Sequence, residues 1–247
     1  HIARTYDKGY GHFTTRCNIQ YNWPALTDLP AILSDLAEVE MHAIQTSGNC
    51  IRNTTTDVFA GAADDEIEDP RPWCEIIRQW STIHPEFSFL PRKFKIAVIG
   101  AEKDRAAIRT HDVGLQIVKG EDGGTAFRVF VGGGQGRLPH IAQEIAPAVP
   151  AADLLAYLTA ILRAWNLLGR RDNIHKARIK ILVASLGIEA FRKEVDKHYA
   201  TLRREDLRIP EDEAERIKAY FAPPPFEDLP KVSGPFDRAL LADPDFA

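Results

Sequence analysis

An α+β fold is what the sequence predicts, on three observations. β-rich runs around a glycine turn occupy the middle third, helical periodicity takes over from Asp153, and a strand-like stretch followed by a capped helix opens the chain. Strands grouped ahead of a helical group favour a sheet covered by helices over a wound β-α-β arrangement.

Taken in order, residues 11–21 alternate, with Phe13, Cys17 and Ile19 to one side and His12, Thr14, Arg16, Asn18 and Gln20 to the other. Period-two patterning of this kind predicts one strand with an apolar face. Thr27, Asp28, Leu29 and Pro30 then supply a cap and an early proline, and Ile32, Leu33, Leu36 and Val39 follow at helical spacing. Residues 48–61, rich in Thr, Asn and Gly, predict a loop. A helix is expected within 67–83, beginning after Pro70 or Pro72, with Trp73, Ile76, Ile77 and Trp80 as its apolar positions. Residues 93–99, 113–118 and 126–131 are β-rich, and the last two bracket a turn at 121–124. Helices are predicted from Asp153 through Trp165, over 179–186 and over 189–199, with Gly187 as a cap between the last two. Beyond Tyr220, Pro223, Pro224, Pro225, Pro230, Pro235 and Pro244 predict a linker over 206–247.

Composition narrows the function classes. With 247 residues, 45% of them hydrophobic, the chain has enough apolar material for one substantial core. Its net charge of -4 offers no general attraction for nucleic acid or an anionic membrane, so any anion site must be local. No apolar run near the length of a membrane span is evident and no signal-peptide pattern opens the chain, which predicts a cytoplasmic protein. Cys17, Cys50 and Cys74 are widely spaced and odd in number, arguing against a disulfide scaffold or a zinc site. The chain starts His1-Ile2-Ala3-Arg4 and its single methionine is Met41, as expected of a piece of a longer polypeptide.

Several positive side chains stand in suggestive places. Alternation puts Arg16 and Gln20 on one strand face, two donors aimed alike, although a solvated face explains one arginine as well. Lys93 and Lys95 share one side of a β-run, with Phe94 and Ile96 facing the core. They either guard an exposed edge or face an anion. Arg52 and Asn53 sit among small polar residues, where a ligand can approach closely or the arginine can simply be solvated. Gly132, Gly133 and Gly134 follow a strand and either present backbone amides to an anion or form a purely structural turn. The stretch 169–180 concentrates Arg170, Arg171, Lys176, Arg178 and Lys180, which also fits a solvated helix start. HExxH, GxSxG and kinase signatures are all missing, so catalysis would need a cofactor.

Together, the runs His12-Phe13-Thr14-Thr15-Arg16-Cys17-Asn18-Ile19-Gln20, Arg52-Asn53, Leu90-Pro91-Arg92-Lys93-Phe94-Lys95 and Val131-Gly132-Gly133-Gly134 resemble, in order and spacing, the sirohaem-dependent sulfite and nitrite reductases. The resemblance runs from about Tyr6 to Tyr199. It implies residues 1–43 as part of a ferredoxin-like half-domain, 44–205 as a sirohaem domain with a mixed or antiparallel sheet covered by helices, and 206–247 as a linker toward the missing C-terminal half. It implies Arg52, Lys93 and Lys95 as the cations around the substrate anion. Arg16, Gln20, Asn53, Arg92, Gly132, Gly133, Gly134, Arg171 and Arg178 become the residues near the sirohaem. The implied reaction is six-electron reduction of sulfite to sulfide at a sirohaem coupled to a 4Fe-4S cluster, fed by a flavoprotein or a ferredoxin.

Two departures qualify the resemblance. The family's cluster cysteines come as two spaced pairs in its second half, which Cys17, Cys50 and Cys74 do not match, so the cluster ligands are expected outside this chain. Ile174 stands where an arginine is expected, though Arg171, Arg178 and Lys180 fit. The chain alone is accordingly expected to be inactive. Lysine at both 93 and 95 leans toward sulfite, because nitrite-type relatives often replace the second. Nitrite reduction to ammonia and a non-catalytic anion- or tetrapyrrole-binding module are the alternatives.

Overall fold

The computed structural model describes residues 1–225 and 227–243. Helix α1 (Ile2–Tyr6) is followed by strands β1 (His12–Phe13) and β2 (Ile19–Gln20), which pair antiparallel with Phe13 opposite Ile19, and then by helix α2 (Leu29–Ala37). The single strand expected over 11–21 is therefore a hairpin. Thr14 Oγ1 accepts from the amides of Arg16 (3.3 Å) and Asn18 (3.2 Å), and Cys17 takes the left-handed conformation at φ 56°, so the polar residues of the supposed face build a turn. The apolar side of the hairpin is left open within this chain, with Phe13 81% exposed.

Helix α3 (Arg71–Ser81) begins directly after Pro70, with Pro72 in its first turn, and buries Trp73, Ile76 and Ile77. Strands β3 (Ile96–Ile99), β4 (Val113–Lys119), β5 (Thr125–Val131) and β6 (Gln143–Pro150) form one mixed sheet in that order. β3 and β4 run parallel, and the other neighbours antiparallel. Alternation divides β3 between two cores. Ile96 and Val98 join the large one, whereas Ala97 and Ile99 pack with Ala101 and Ile108 on the opposite face. β6 has no sequence expectation behind it. Pro147 and Pro150 mask it, and its pairing to β5 is bulged, so that only Ile145 and Val149 are buried instead of every second residue.

Helices α4 (Leu154–Leu168), α5 (Ile179–Leu186) and α6 (Ile188–Thr201) follow as predicted, with Gly187 at φ 82° between the last two. The stretch Ala151–Leu168 is 18 residues and apolar enough to cross a membrane by composition alone, which corrects the expectation that no such run exists. Thr159, Arg163 and Asn166 interrupt it, and its mean hydropathy is nevertheless 1.2. With 61% of it buried, and Leu158, Ile161, Leu162 and Trp165 packed against the sheet residues, it is the central core helix.

Among the described residues of 206–247, two helices stand where a linker is expected. Helix α7 (Glu211–Phe221) buries Ile217 in the large core, and Phe221 O accepts from Arg71 Nη2 of α3 at 3.1 Å. A further helix, α8 (Gly234–Ala242), is capped by Ser233 Oγ, which accepts from the Phe236 amide. Prolines 223–225 end α7 as expected, while Pro244 lies outside the described residues.

Candidate functional site

A short parallel bridge creates the site's base. Ile51 pairs with Phe94, with Arg52 N donating to Phe94 O (2.8 Å) and Phe94 N to Cys50 O (3.0 Å). Ile51 and Phe94 are buried apolar residues, so the alternating positions Arg52, Lys93 and Lys95 turn to the opposite, half-buried side. Arg52 is thus brought onto one shelf with lysines 41 and 43 positions further along the chain.

The shelf is crowded with like charge. Burial lowers the pKa of Lys93, and Arg52, Arg92 and Arg178 lower it further. Burial, then Arg178, Lys93 and Arg16, bring Lys95 down to about 8. Among the described residues, neither lysine ammonium nor the Arg92 guanidinium has a hydrogen-bond or ion-pair partner. Cations held close together, partly desolvated and unpaired, favour an anion.

Other predicted residues are committed to the protein itself. Arg178 Nε and Nη2 donate to Asp112 Oδ1 at 3.1 and 2.6 Å. Arg52 donates from Nε to Gln45 O (3.1 Å) and from Nη2 to Thr46 O, which aims the guanidinium along the 45–52 loop. Arg16 lies in the hairpin turn and not on a strand face with Gln20. Its guanidinium donates to Thr55 Oγ1 (2.7 Å), Asn53 O (2.5 Å) and Ile96 O (3.2 Å), and burial lowers its pKa to about 10. Its Nε is buried without a partner. Asn53 returns the contact by donating to Arg16 O at 2.7 Å. Gln20 is exposed and donates to Asn22 Oδ1. Arg171, on the loop after α4, donates to Phe89 O (3.0 Å) and to Asn166 Oδ1 of that helix.

The glycine loop acts chiefly by allowing close approach. The amides of Gly132 and Gly134 donate to Asp112 O (3.0 Å) and His140 O (2.9 Å), so of the two readings the sequence leaves open, these two amides fit the structural turn. A Cβ at Gly133 would stand 2.5 Å from His111 O, and one at Gly134 would stand 2.8 Å from Arg178 Nη2. Lys180 Nζ spans the same loop, donating to Gln135 O (2.9 Å) and Leu138 O (2.5 Å).

Sequence reasoning missed two residues beside the shelf. Asp112 is 0% exposed and lies among the cations. Burial pushes its carboxyl up, opposed by Arg178 and by the Lys95 amide. His111 is brought to about 4 by burial and by Arg16, and its Nδ1 lies 2.9 Å from Ala107 O. An acidic residue directly before an apolar strand is the one available signal, and it does not distinguish Asp112 from an ordinary strand flank.

Comparison with known proteins bears on these contacts. The family model described as the nitrite and sulphite reductase 4Fe-4S domain matches residues 47–202, and that of the nitrite/sulfite reductase ferredoxin-like half domain matches residues 1–39. The chain is 32% identical over 209 residues to a sulfite reductase [ferredoxin] 1 of Mycolicibacterium paratuberculosis, covering 85% of this chain and 37% of that protein. It is 34% identical over 204 residues to a chloroplastic ferredoxin--nitrite reductase of Arabidopsis thaliana, covering 79% of this chain and 34% of that protein. A solved structure of the Mycobacterium tuberculosis NirA protein superposes with a TM-score of 0.73 at 29% identity, over 81% of this chain and 36% of that one. The chain thus spans about a third of the length of these relatives. With the family models covering both the hairpin that carries Arg16 and the sheet that carries the lysine shelf, the chain belongs to the nitrite and sulfite reductase family.

Proposed function

We propose that this chain forms the anion-facing part of a sulfite reductase, in which Arg52, Lys93 and Lys95 bind sulfite beside a sirohaem. The observation that carries this reading is that Lys93 is repelled by Arg92 and Arg52, and Lys95 by Lys93, while Arg92, Lys93 and Lys95 have no side-chain partner among the described residues. In this reading residues 1–43 belong to the ferredoxin-like half-domain and 44–205 to the sirohaem domain.

Relatives in this family use sirohaem and a 4Fe-4S cluster. The cationic shelf fits a poly-carboxylate ring and an oxyanion, each charge-assisted hydrogen bond contributing about 1.5–3 kcal/mol. Arg92, with no partner among the described residues, and the buried, unbonded Nε of Arg16 support contacts with the ring's carboxylates. Gln20, Asn53, Arg171, Arg178 and the 132–134 loop would line or brace its edge. The cluster does not fit this chain, because Cys17, Cys50 and Cys74 are separate thiols and no group of three or more metal-binding side chains occurs among the described residues. Its ligands belong to the rest of the polypeptide. When bound, the coupled cofactors supply the electrons. The residues here neutralise the substrate, orient it and stabilise charge on departing oxygens. A ferredoxin, as in the names of the relatives, is the proposed electron donor.

Nitrite is the second reading, supported by the nitrite reductase among the relatives. Replacing Lys95 by Asn in the complete enzyme is expected to raise the nitrite-to-sulfite ratio of kcat/KM about tenfold, since one lost charge contact is worth roughly 1.4 kcal/mol or more. An unchanged ratio would count against the assignment of Lys95 to substrate.

A further inference from the structure

Asp112 lies where two cation-bearing stretches meet the glycine loop. Its Oδ2 accepts from the Lys95 amide at 2.9 Å, its Oδ1 accepts from Arg178 Nε and Nη2, and its own carbonyl accepts from the Gly132 amide at 3.0 Å. The side chain is 1% exposed. Every polar oxygen of this residue is therefore spent on fixing one element of the shelf against another: the 93–95 run, the glycine loop and the start of α5. Among the described residues it is also the carboxylate whose charge acts on Arg16, Lys93, Lys95 and Lys180 alike.

We propose that Asp112 is the positioning residue of the cationic shelf: its buried carboxylate locks Arg178 to the Lys95 backbone and sets a negative charge among the cations around Lys95, although it does not touch the anion. The inference rests on the reading that Lys95 binds the substrate anion. It goes beyond that reading by assigning the control of Lys95 to a residue outside the anion's reach.

The physical chemistry sets the sign. Lys95 is faced by Lys93 on its own run, Arg16 from the hairpin turn, Arg178 from the start of α5, and His111 and Asp112 from the segment before β4. His111 is neutral above about 4, which leaves Asp112 as the opposing negative charge. Removing that charge makes the ammonium harder to keep, so Lys95 loses its proton at lower pH. Anion binding that needs the charged lysine then fails at lower pH as well.

The test uses the complete, cofactor-loaded enzyme, with sulfite as the probe and its binding to the oxidised enzyme followed by the sirohaem absorbance across pH 6 to 10. In the parent enzyme, affinity should fall on the alkaline side through a pH near that of Lys95, about 8. Asp112→Asn, which preserves shape, should move this alkaline limb acidward by about one pH unit, giving roughly fivefold weaker binding at pH 8 and approaching tenfold toward pH 10. Asp57→Asn removes a different buried carboxylate, one paired with Arg105, and should leave the limb in place. A limb unmoved by Asp112→Asn overturns the inference. If Asp112→Asn alone does not fold because the Arg178 guanidinium is stranded, the comparison is made in the Arg178→Gln background: the limb of Asp112→Asn/Arg178→Gln must lie at lower pH than that of Arg178→Gln, and coincident limbs overturn the inference. Failure of the underlying reading looks different, because Lys95→Gln would then bind sulfite as the parent does.

Discussion

Arg16 Nη2 donates to the carbonyl of Ile96 at 3.2 Å, so a side chain from the N-terminal hairpin is sealed against the first strand of the main sheet. The same guanidinium also satisfies Thr55 Oγ1 and Asn53 O, at 2.7 and 2.5 Å. Substituting Arg16 by Met keeps much of the aliphatic volume but strands three acceptors. Buried groups left unpaired cost about 1–3 kcal/mol each, and partial rehydration should hold the total to about 3 kcal/mol. Urea denaturation of the Arg16→Met chain is expected to show that loss; a midpoint equal to the parent's would mean that the hairpin contact contributes nothing to stability.

Gly133 and Gly136 lie three residues apart in one loop and should respond differently to alanine. At Gly133 a Cβ would collide with Arg109 O and His111 O, both backbone atoms that cannot turn aside. At Gly136 (φ 103°) nothing lies within 4 Å, so only the unfavourable backbone conformation is felt. Gly133→Ala should cost about 3 kcal/mol or more, and Gly136→Ala about 1 kcal/mol. Thermal midpoints of the two variants test the order, and the reverse order would show that the loop does not pack as described.

Legibility in the sequence followed periodicity and failed where geometry depends on distant residues. Helices α4, α5 and α6 were readable because each needs only its own apolar spacing and a glycine at 187. Lys93 and Lys95 were readable as a pair because alternation is local. The hairpin at 12–20 was misread because Thr14 and Asn18 satisfy an alternating pattern and a turn equally well, and the left-handed Cys17 leaves no mark in composition. Asp112 was invisible for a further reason. Its importance comes from Arg178, which is 66 residues away along the chain, and from a backbone amide, which has no residue identity at all.

Ile217 carries the consequence of the linker correction. It is 3% exposed and joins α7 to the large core, with Ile209 and Phe221 packed nearby. Ile217→Ala should cost about 2–4 kcal/mol, the range for a buried aliphatic truncated to alanine. A flexible linker residue would cost nothing measurable. Limited proteolysis gives an independent readout: cleavage between 206 and 221 should be slow in the parent chain and fast in Ile217→Ala, and fast cleavage in both would restore the linker.

Asp65 illustrates stability that depends on pH. Its carboxylate accepts from Arg105 Nη2 at 2.8 Å and from the Lys103 amide at 3.1 Å, and these hydrogen bonds, Arg105 foremost, hold it down at about 2. Arg105 also donates to the buried Asp57 at 2.6 Å, so the pair clamps the 57–66 loop to the 102–105 turn. A carboxyl with a depressed folded-state pKa stabilises the fold above its unfolded value near 3.8 and loses that contribution as pH falls toward 2. Asp65→Asn should therefore be less stable than the parent at pH 7, and the gap should close between about pH 4 and pH 2. Denaturation midpoints measured at pH 7, 4 and 2.5 check this. A gap that persists unchanged at pH 2.5 would show that Asp65 acts through shape or hydrogen bonding that survives protonation, and not through its charge on Arg105.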